Sequence, residues 1–289
     1  MYTTLISAQA LQTLLAGDAP PLVFDCSFDL LNPLAGGQQY REAHLPGARH
    51  VDLDQVLSAH AGQARASGGR HPLPSREAFA QWLAAAGLNH GQQVVVYDRQ
   101  GANYCGRLWW MLKWCGHEAV AVLDGGLQAW QASGGTLVTG ADVPPSQQGG
   151  FALRDASTPV CTTAELADRL GRPQLTVIDA RAAARFRGET EPLDPVAGHI
   201  PGALNRPFAD NIGPDGRFKP AAQLRAEFVQ LLAGRDPATV VHHCGSGVSA
   251  IPNLLAMEVA GLGRTALYPG SWSEWCNTPG LPCARSAPA

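Results

Sequence analysis

The 289-residue sequence predicts an α/β fold that is built twice along one chain. Short apolar runs, Leu22 to Asp25, Val94 to Tyr97, Leu175 to Asp179 and Val240 to His243, alternate with helical stretches, the pattern of buried parallel strands covered by helices. The turn His44-Leu45-Pro46-Gly47-Ala48 returns as His199-Ile200-Pro201-Gly202-Ala203. Its surroundings return in the same order: Val23-Phe24-Asp25 with Val177-Ile178-Asp179 ahead of it, and Asp124-Gly125-Gly126 with Trp130 matched to Pro269-Gly270-Ser271 with Trp275 behind it.

Each half is expected to run helix, short strand, repeated turn, helix, Val-rich strand, loop and further helix. The opening helix of the second half carries a capping box, Thr162 with Glu165 three residues on, ahead of Ala164 to Leu170. The pair Trp109-Trp110, set in Leu108 to Trp114, reads as the core of a helix. His44 is 50 positions from Val94 whereas His199 is 41 from Val240, so the first half holds nine residues more, placed near His60 to Pro74. Gly134 to Pro159 mixes Gly, Pro, Ser and Gln without a sustained period and reads as a linker. The expected division is a first domain over 1–135, a linker over 136–158 and a second domain over 159–289.

Composition narrows the function. Apolar residues make up 45% and charged residues 16%, with 32 Gly and 22 Pro, which suits a compact chain with many tight turns. The 21 basic and 24 acidic residues give a net charge of −3 without a basic cluster, which argues against nucleic acid or an anionic membrane as a partner. No apolar run approaches the roughly 18 residues of a membrane span. Met1 to Gly17 has neither the basic start nor the cleavage pattern of a targeting peptide, so a cytoplasmic location is expected. The seven cysteines are odd in number and scattered, which suits free thiols, and no pair has the two-residue spacing of a zinc knuckle. No phosphate- or dinucleotide-binding glycine pattern occurs, so neither cofactor nor metal is expected.

Chemistry is expected where the repeat breaks. The strand Val94 to Tyr97 leads into Asp98, but its counterpart Val240 to His243 leads into Cys244. Gly245-Ser246-Gly247-Val248-Ser249-Ala250 follows, then the apolar stretch Ile251 to Ala260, with Pro252 tolerable in a first helical turn. A glycine loop between strand and helix turns successive N–H groups toward the sulfur, and the helix N-terminus adds partial positive charge. Both favour a thiolate nucleophile and an anionic sulfur adduct on Cys244. Cys26, Cys105, Cys115 and Cys161 read as small buried apolar residues. His242 and His243 adjoin the nucleophile, one of them turned into packing, while His44 and His199 occur in both halves and read as turn-forming.

The segment from Tyr40 through His44-Leu45-Pro46-Gly47-Ala48, the Cys244-Gly245-Ser246-Gly247-Val248-Ser249 loop and the tail Gly270-Ser271-Trp272-Ser273-Glu274-Trp275 resemble the tandem rhodanese sulfurtransferases over nearly the whole chain. The resemblance implies two rhodanese-like domains, an inactive first one with Asp98 at the cysteine position and a catalytic second one. The uncharged loop resembles that of the 3-mercaptopyruvate sulfurtransferases, since thiosulfate sulfurtransferases carry basic residues directly after the cysteine. It implies that Cys244 takes sulfur from a small-molecule donor as a persulfide and passes it to cyanide or a thiol such as thioredoxin or a small thiol. By the same resemblance Ser246 works with His71 and Asp54, and Gly245, Gly247, Val248 and Ser249 line the substrate loop. Arg185 matches the arginine that binds the donor carboxylate. A second family arginine falls on Asp194, leaving Arg187 as the expected helper.

Two other readings are open. Thiosulfate as donor would set two negative charges against backbone amides alone. A non-enzymatic rhodanese-like binding module would not need Cys244 in its glycine loop. A cysteine phosphatase requires an arginine at the loop end, and the next one here is Arg264.

Overall fold

The computed structural model describes residues 1–141, 145 and 147–286. Residues 142–144 and 146 of the expected linker and 287–289 of the expected second domain lie outside the described residues. The chain forms two compact units. The first holds Met1–Ala66, Pro74–Ser157 and Gly213–Phe218; the second holds Ser67–Leu73, Thr158–Ile212 and Lys219–Ala289. Each unit therefore includes a short segment numbered within the other half. The segment Ser67–Leu73 falls among the residues by which the first half exceeds the second.

The first unit runs β1 (Leu5–Ile6), α1 (Ala8–Leu15), β2 (Leu22–Asp25), α2 (Ala35–Glu42), β3 (Arg49–His50), α3 (Arg76–Ala85), β4 (Val94–Tyr97), α4 (Cys105–Trp114), β5 (Val120–Leu123) and α5 (Gly126–Ala132). Its five strands lie in the order β1-β5-β4-β2-β3, and every pairing is parallel. The central strand β4 is buried on both faces, which is why Val94-Val95-Val96 is an unbroken apolar run and not an alternating one. Trp109 and Trp110 are fully buried in α4.

The second unit runs α6 (Thr163–Arg169), β6 (Thr176–Asp179), α7 (Ala183–Arg187), β7 (Leu204–Asn205), α8 (Ala221–Leu232), β8 (Val240–His243), α9 (Ile251–Val259), β9 (Ala266–Leu267) and α10 (Ser271–Trp275). Both halves of the capping box at Thr162 and Glu165 are formed. The sheet order β7-β6-β8-β9 repeats β3-β2-β4-β5, again all parallel. A parallel bridge from Val160 to Leu267 stands where β1 stands in the first unit.

The two cores use equivalent positions. Leu11, Val23, Leu45, Val95, Leu127 and Trp130 cluster in the first unit, and Leu166, Val177, Ile200, Val241, Trp272 and Trp275 in the second. The repeated histidines do the same work twice. His44 stacks on Tyr40 with ring centroids 3.9 Å apart and its Nδ1 lies 2.7 Å from the Tyr40 carbonyl. His199 stacks on Phe186 at 4.0 Å with Nδ1 2.8 Å from the Phe186 carbonyl. Both rings pin the turn, as their recurrence implies.

Candidate active site

Strand β8 delivers Cys244 to the start of a loop that closes on α9. The cysteine is buried, at 2% exposure, and both its backbone polar groups are tied to the turn before α10: its N–H donates to Ser271 Oγ at 3.1 Å and its carbonyl accepts from the Trp272 N–H at 3.0 Å. Gly247 has φ +75°, and a Cβ there would lie 2.2 Å from the Pro269 carbonyl oxygen. Only glycine meets both constraints, so the loop owes its curl to this position. Pro252 sits in the first turn of α9, where no backbone N–H is needed.

The first unit shows what such a loop can hold. Asp98, at the position of Cys244, accepts hydrogen bonds at Oδ1 from the N–H groups of Gln100 (2.9 Å) and Ala102 (3.0 Å), and at Oδ2 from those of Tyr104 (2.8 Å) and Cys105 (2.9 Å). Four amides converge on one fixed anion. In the second unit none of the hydrogen bonds among the described residues uses the N–H of Gly245, Ser246, Val248, Ser249 or Ala250. Val248 is buried and Ser249 half-buried. This loop has the donors for an anion and carries a sulfur in place of the carboxylate.

Ser67–Leu73 lies against the same loop within the second unit. Gly68 and Gly69 permit the approach: a Cβ on Gly68 would lie 2.6 Å from the Glu274 carboxyl, and one on Gly69, at φ +84°, would lie 2.5 Å from the Gly270 carbonyl oxygen. The Arg70 N–H donates to Ser273 Oγ at 3.0 Å. His71 is then buried with Nδ1 2.7 Å from Ser246 Oγ, so the structure brings together two of the residues that sequence singled out. Asp54 belongs to the first unit, where its N–H donates to Asp52 Oδ1 at 2.8 Å. Partial burial and the neighbouring Asp52 raise its carboxyl above the usual carboxylate range.

The cations differ from the sequence expectation. Arg185 is near the loop, but its Nη2 lies 2.6 Å from Glu191 Oε1 and 3.6 Å from Asp194 Oδ2. Arg187 forms an exposed pair with Glu189 at 2.6 Å through Nε, with Nη2 3.0 Å from the other oxygen, and so is committed elsewhere. The second guanidinium at the loop is Arg70, whose Nη1 pairs with Asp194 Oδ1 at 2.8 Å. A Cβ placed on Gly245 would lie 3.2 Å from Arg70 Nη2 and 3.6 Å from Arg185 Nη1. Among the described residues, the hydrogen bonds of these side chains leave those two nitrogens unused. A dianionic donor would therefore not face amides alone, contrary to the expectation from the uncharged loop. Sequence reasoning missed Arg70; the acid at position 194, where a cation was expected, was the signal that another cation had to stand beside it.

Below the loop the charges alternate. Arg181 pairs with Asp179 at 2.7 Å and Glu191 at 3.2 Å, and Glu191 continues to Arg185. Burial opposes ionisation of Asp179, but His243 and Arg181 outweigh it and hold its pKa below the usual range. Burial pushes His243 down; its Nδ1 lies 3.1 Å from the Cys244 carbonyl and its Nε2 3.6 Å from Asp179. His242, pushed down to about 3 mainly by burial, lies with Nε2 3.2 Å from Met257 Sδ. Among the described residues neither ring hydrogen-bonds the Cys244 sulfur or the Ser246 hydroxyl. Cys26, Cys105, Cys115 and Cys161 are all buried. Burial raises each of these thiols, Cys115 to about 12 and Cys161 to about 11. Among the described residues no group of three or more His, Cys, Asp or Glu could hold a metal ion, and no helix is long and apolar enough to cross a membrane.

Known proteins resemble this chain in sequence and fold. The rhodanese-like domain matches residues 7–133 and again 162–278. The chain is 45% identical over 281 residues to a probable 3-mercaptopyruvate sulfurtransferase of Pseudomonas aeruginosa, covering 97% of each chain. It is 39% identical over 287 residues to a putative thiosulfate sulfurtransferase of Mycobacterium tuberculosis, covering 97% of this chain and 96% of that one. The structure of the 3-mercaptopyruvate sulfurtransferase from Leishmania major superimposes with a TM-score of 0.82 at 29% identity, over 96% of this chain and 76% of that one. With two matched domains, full-length relatives and two parallel sheets of repeated order, the chain belongs to the rhodanese-like family and carries the domain twice.

Proposed function

We propose that this protein is a sulfurtransferase that takes sulfur from 3-mercaptopyruvate onto Cys244 and passes it to a thiol or to cyanide. The observation that carries the reading is the set of loop amides around Cys244 that bond no acceptor among the described residues: those of Ser246, Val248 and Ala250 stand at the positions of Gln100, Ala102 and Tyr104 around the Asp98 carboxylate, while the fourth counterpart, the Ile251 N–H, donates to the Val248 carbonyl. In the first half-reaction the Cys244 thiolate attacks the donor's sulfur. An S–S bond forms, the donor C–S bond breaks, and its electron pair leaves as the pyruvate enolate, which takes a proton at carbon to give pyruvate. Loop amides hold the persulfide anion. In the second half-reaction cyanide or a thiolate attacks the outer sulfur, and the Cys244 thiolate leaves. A cytoplasmic location with a small thiol or a thioredoxin as acceptor fits this chemistry.

Ser246 and His71 form a hydroxyl–imidazole pair beside the nucleophile, suited to taking the donor's thiol proton and returning it to the enolate. His71→Ala and Ser246→Ala are each expected to lower kcat with mercaptopyruvate about a hundredfold, the usual contribution of a placed acid–base group. The double variant should be little worse than either single one, because the pair acts as a unit. Additive losses in steady-state rates would assign the two residues separate roles.

The donor decides between this reading and the thiosulfate one, which gains support from the two guanidiniums beside Gly245. Those cations are already balanced. Arg70, Arg181 and Arg185 face Asp179, Glu191 and Asp194, so the donor meets two directed N–H groups, enough for one carboxylate, and not a net positive charge that would favour a dianion. The specificity constant for mercaptopyruvate is expected to exceed that for thiosulfate at least about tenfold, or about 1.4 kcal/mol. Steady-state kinetics with both donors at a fixed cyanide concentration measures it, and equal constants would favour the thiosulfate reading.

A further inference from the structure

Ser271 stands at the first residue of α10 with φ +56°, one of three non-glycine residues at positive φ among those described. Its counterpart in the first domain, Gly126, opens α5 at the same φ of +56°. Glycine adopts that conformation freely and serine does not. In the first domain a Cβ on Gly126 would lie 2.2 Å from the Asp98 carbonyl oxygen, so serine could not be placed there without moving the backbone. The catalytic domain accepts a disfavoured residue where its inactive twin has the relaxed one.

What serine adds is a hydroxyl. Fully buried, Ser271 Oγ accepts the Cys244 N–H at 3.1 Å and donates to the Tyr268 carbonyl at 3.0 Å. The matching carbonyl contact is present in both domains: Trp272 N–H donates to the Cys244 carbonyl at 3.0 Å, and Leu127 N–H to the Asp98 carbonyl at 3.2 Å. The difference between the two turns is thus the bond to the nucleophile's own N–H. Local strain retained beside a reactive group, together with a specific bond to it, marks a functional constraint.

We propose that Ser271 is a positioning residue: by holding the Cys244 N–H, while the Trp272 N–H holds the Cys244 carbonyl, it aims the sulfur into the loop amides. Asp98 needs no such device, because its two oxygens are held by four amides. A single sulfur has no second acceptor atom to anchor it, so its direction is set by the backbone. The proposal rests on Cys244 being the persulfide carrier.

Two variants separate positioning from stability. Ser271→Gly and Ser271→Ala both lose the bond to Cys244 N–H, but only alanine keeps the disfavoured backbone. Both are expected to form the Cys244 persulfide about tenfold more slowly than the parent, with KM for mercaptopyruvate within about twofold, while Ser271→Gly unfolds at the higher temperature. Single-turnover loading followed by mass spectrometry, alongside thermal unfolding, gives both readouts. Ser271→Gly loading at the parent rate, or a loss of rate that follows the order of unfolding temperatures, would overturn the proposal. If the parent itself failed to load Cys244, the persulfide reading would fall instead.

Discussion

Cys244→Ser and Cys244→Ala are expected to abolish sulfur transfer, with losses greater than about a thousandfold, while both variants fold. The hydroxyl of serine is a poor nucleophile toward sulfur and would not release the sulfur again, and alanine offers no nucleophile. The parent should gain about 32 Da, one sulfur atom, on Cys244 after treatment with mercaptopyruvate, and neither variant should gain it. The other thiols do not compete. Burial raises Cys115 to about 12 and Cys161 and Cys276 to about 11, with Asp194 adding to the effect at Cys276, so almost none of these thiolates exist at neutral pH. Exposed Cys283 is also raised, by what burial it has. Peptide mapping that put the added sulfur on Cys283, or a serine variant keeping more than a few per cent of activity, would move the reaction away from the loop.

The features legible in the sequence are those with a local cause. Strands buried on both faces give apolar runs, so β2, β4 and β8 could be placed to the residue and β6 to within one. The Cys244 loop was visible because the second copy of the repeat departs from the first there. Two-residue strands such as β1, β3, β7 and β9 leave no period to detect. Helix α2, with the sequence AGGQQYRE, has two glycines and little apolar content; Gly36 is there because a Cβ would lie 2.1 Å from the Ser27 carbonyl oxygen, a reason that only packing reveals. Among the site residues, His71 and Ser246 could be paired from the family pattern. Arg70 could not, because its role depends on Gly68 and Gly69 letting the chain settle against the Gly270–Glu274 turn.

Removing both cations at Gly245 should cost more than any change short of losing the nucleophile. Arg70 and Arg185 are each anchored to an acid through some of their N–H groups, with Arg70 Nη2 and Arg185 Nη1 left beside Gly245. A carboxylate bridging those two nitrogens gains two charge-assisted hydrogen bonds, each worth about 1.5–3 kcal/mol. Arg70→Ala and Arg185→Ala are each expected to lower kcat/KM for mercaptopyruvate about 10- to 100-fold, mainly through KM, and the double variant about a thousandfold, near 4 kcal/mol. Discharge of sulfur from preloaded Cys244 to cyanide, which carries no carboxylate, should stay within about twofold of the parent. Truncating Arg70 also leaves Asp194 without its 2.8 Å partner, and a buried carboxylate short of a cation destabilises its surroundings. The double change Arg70→Ala with Asp194→Asn removes the acid along with the cation. If the loss comes from donor binding, this variant stays as weak as Arg70→Ala. Recovery of kcat/KM would show that the stranded acid caused the loss, and would return carboxylate recognition to Arg185 alone.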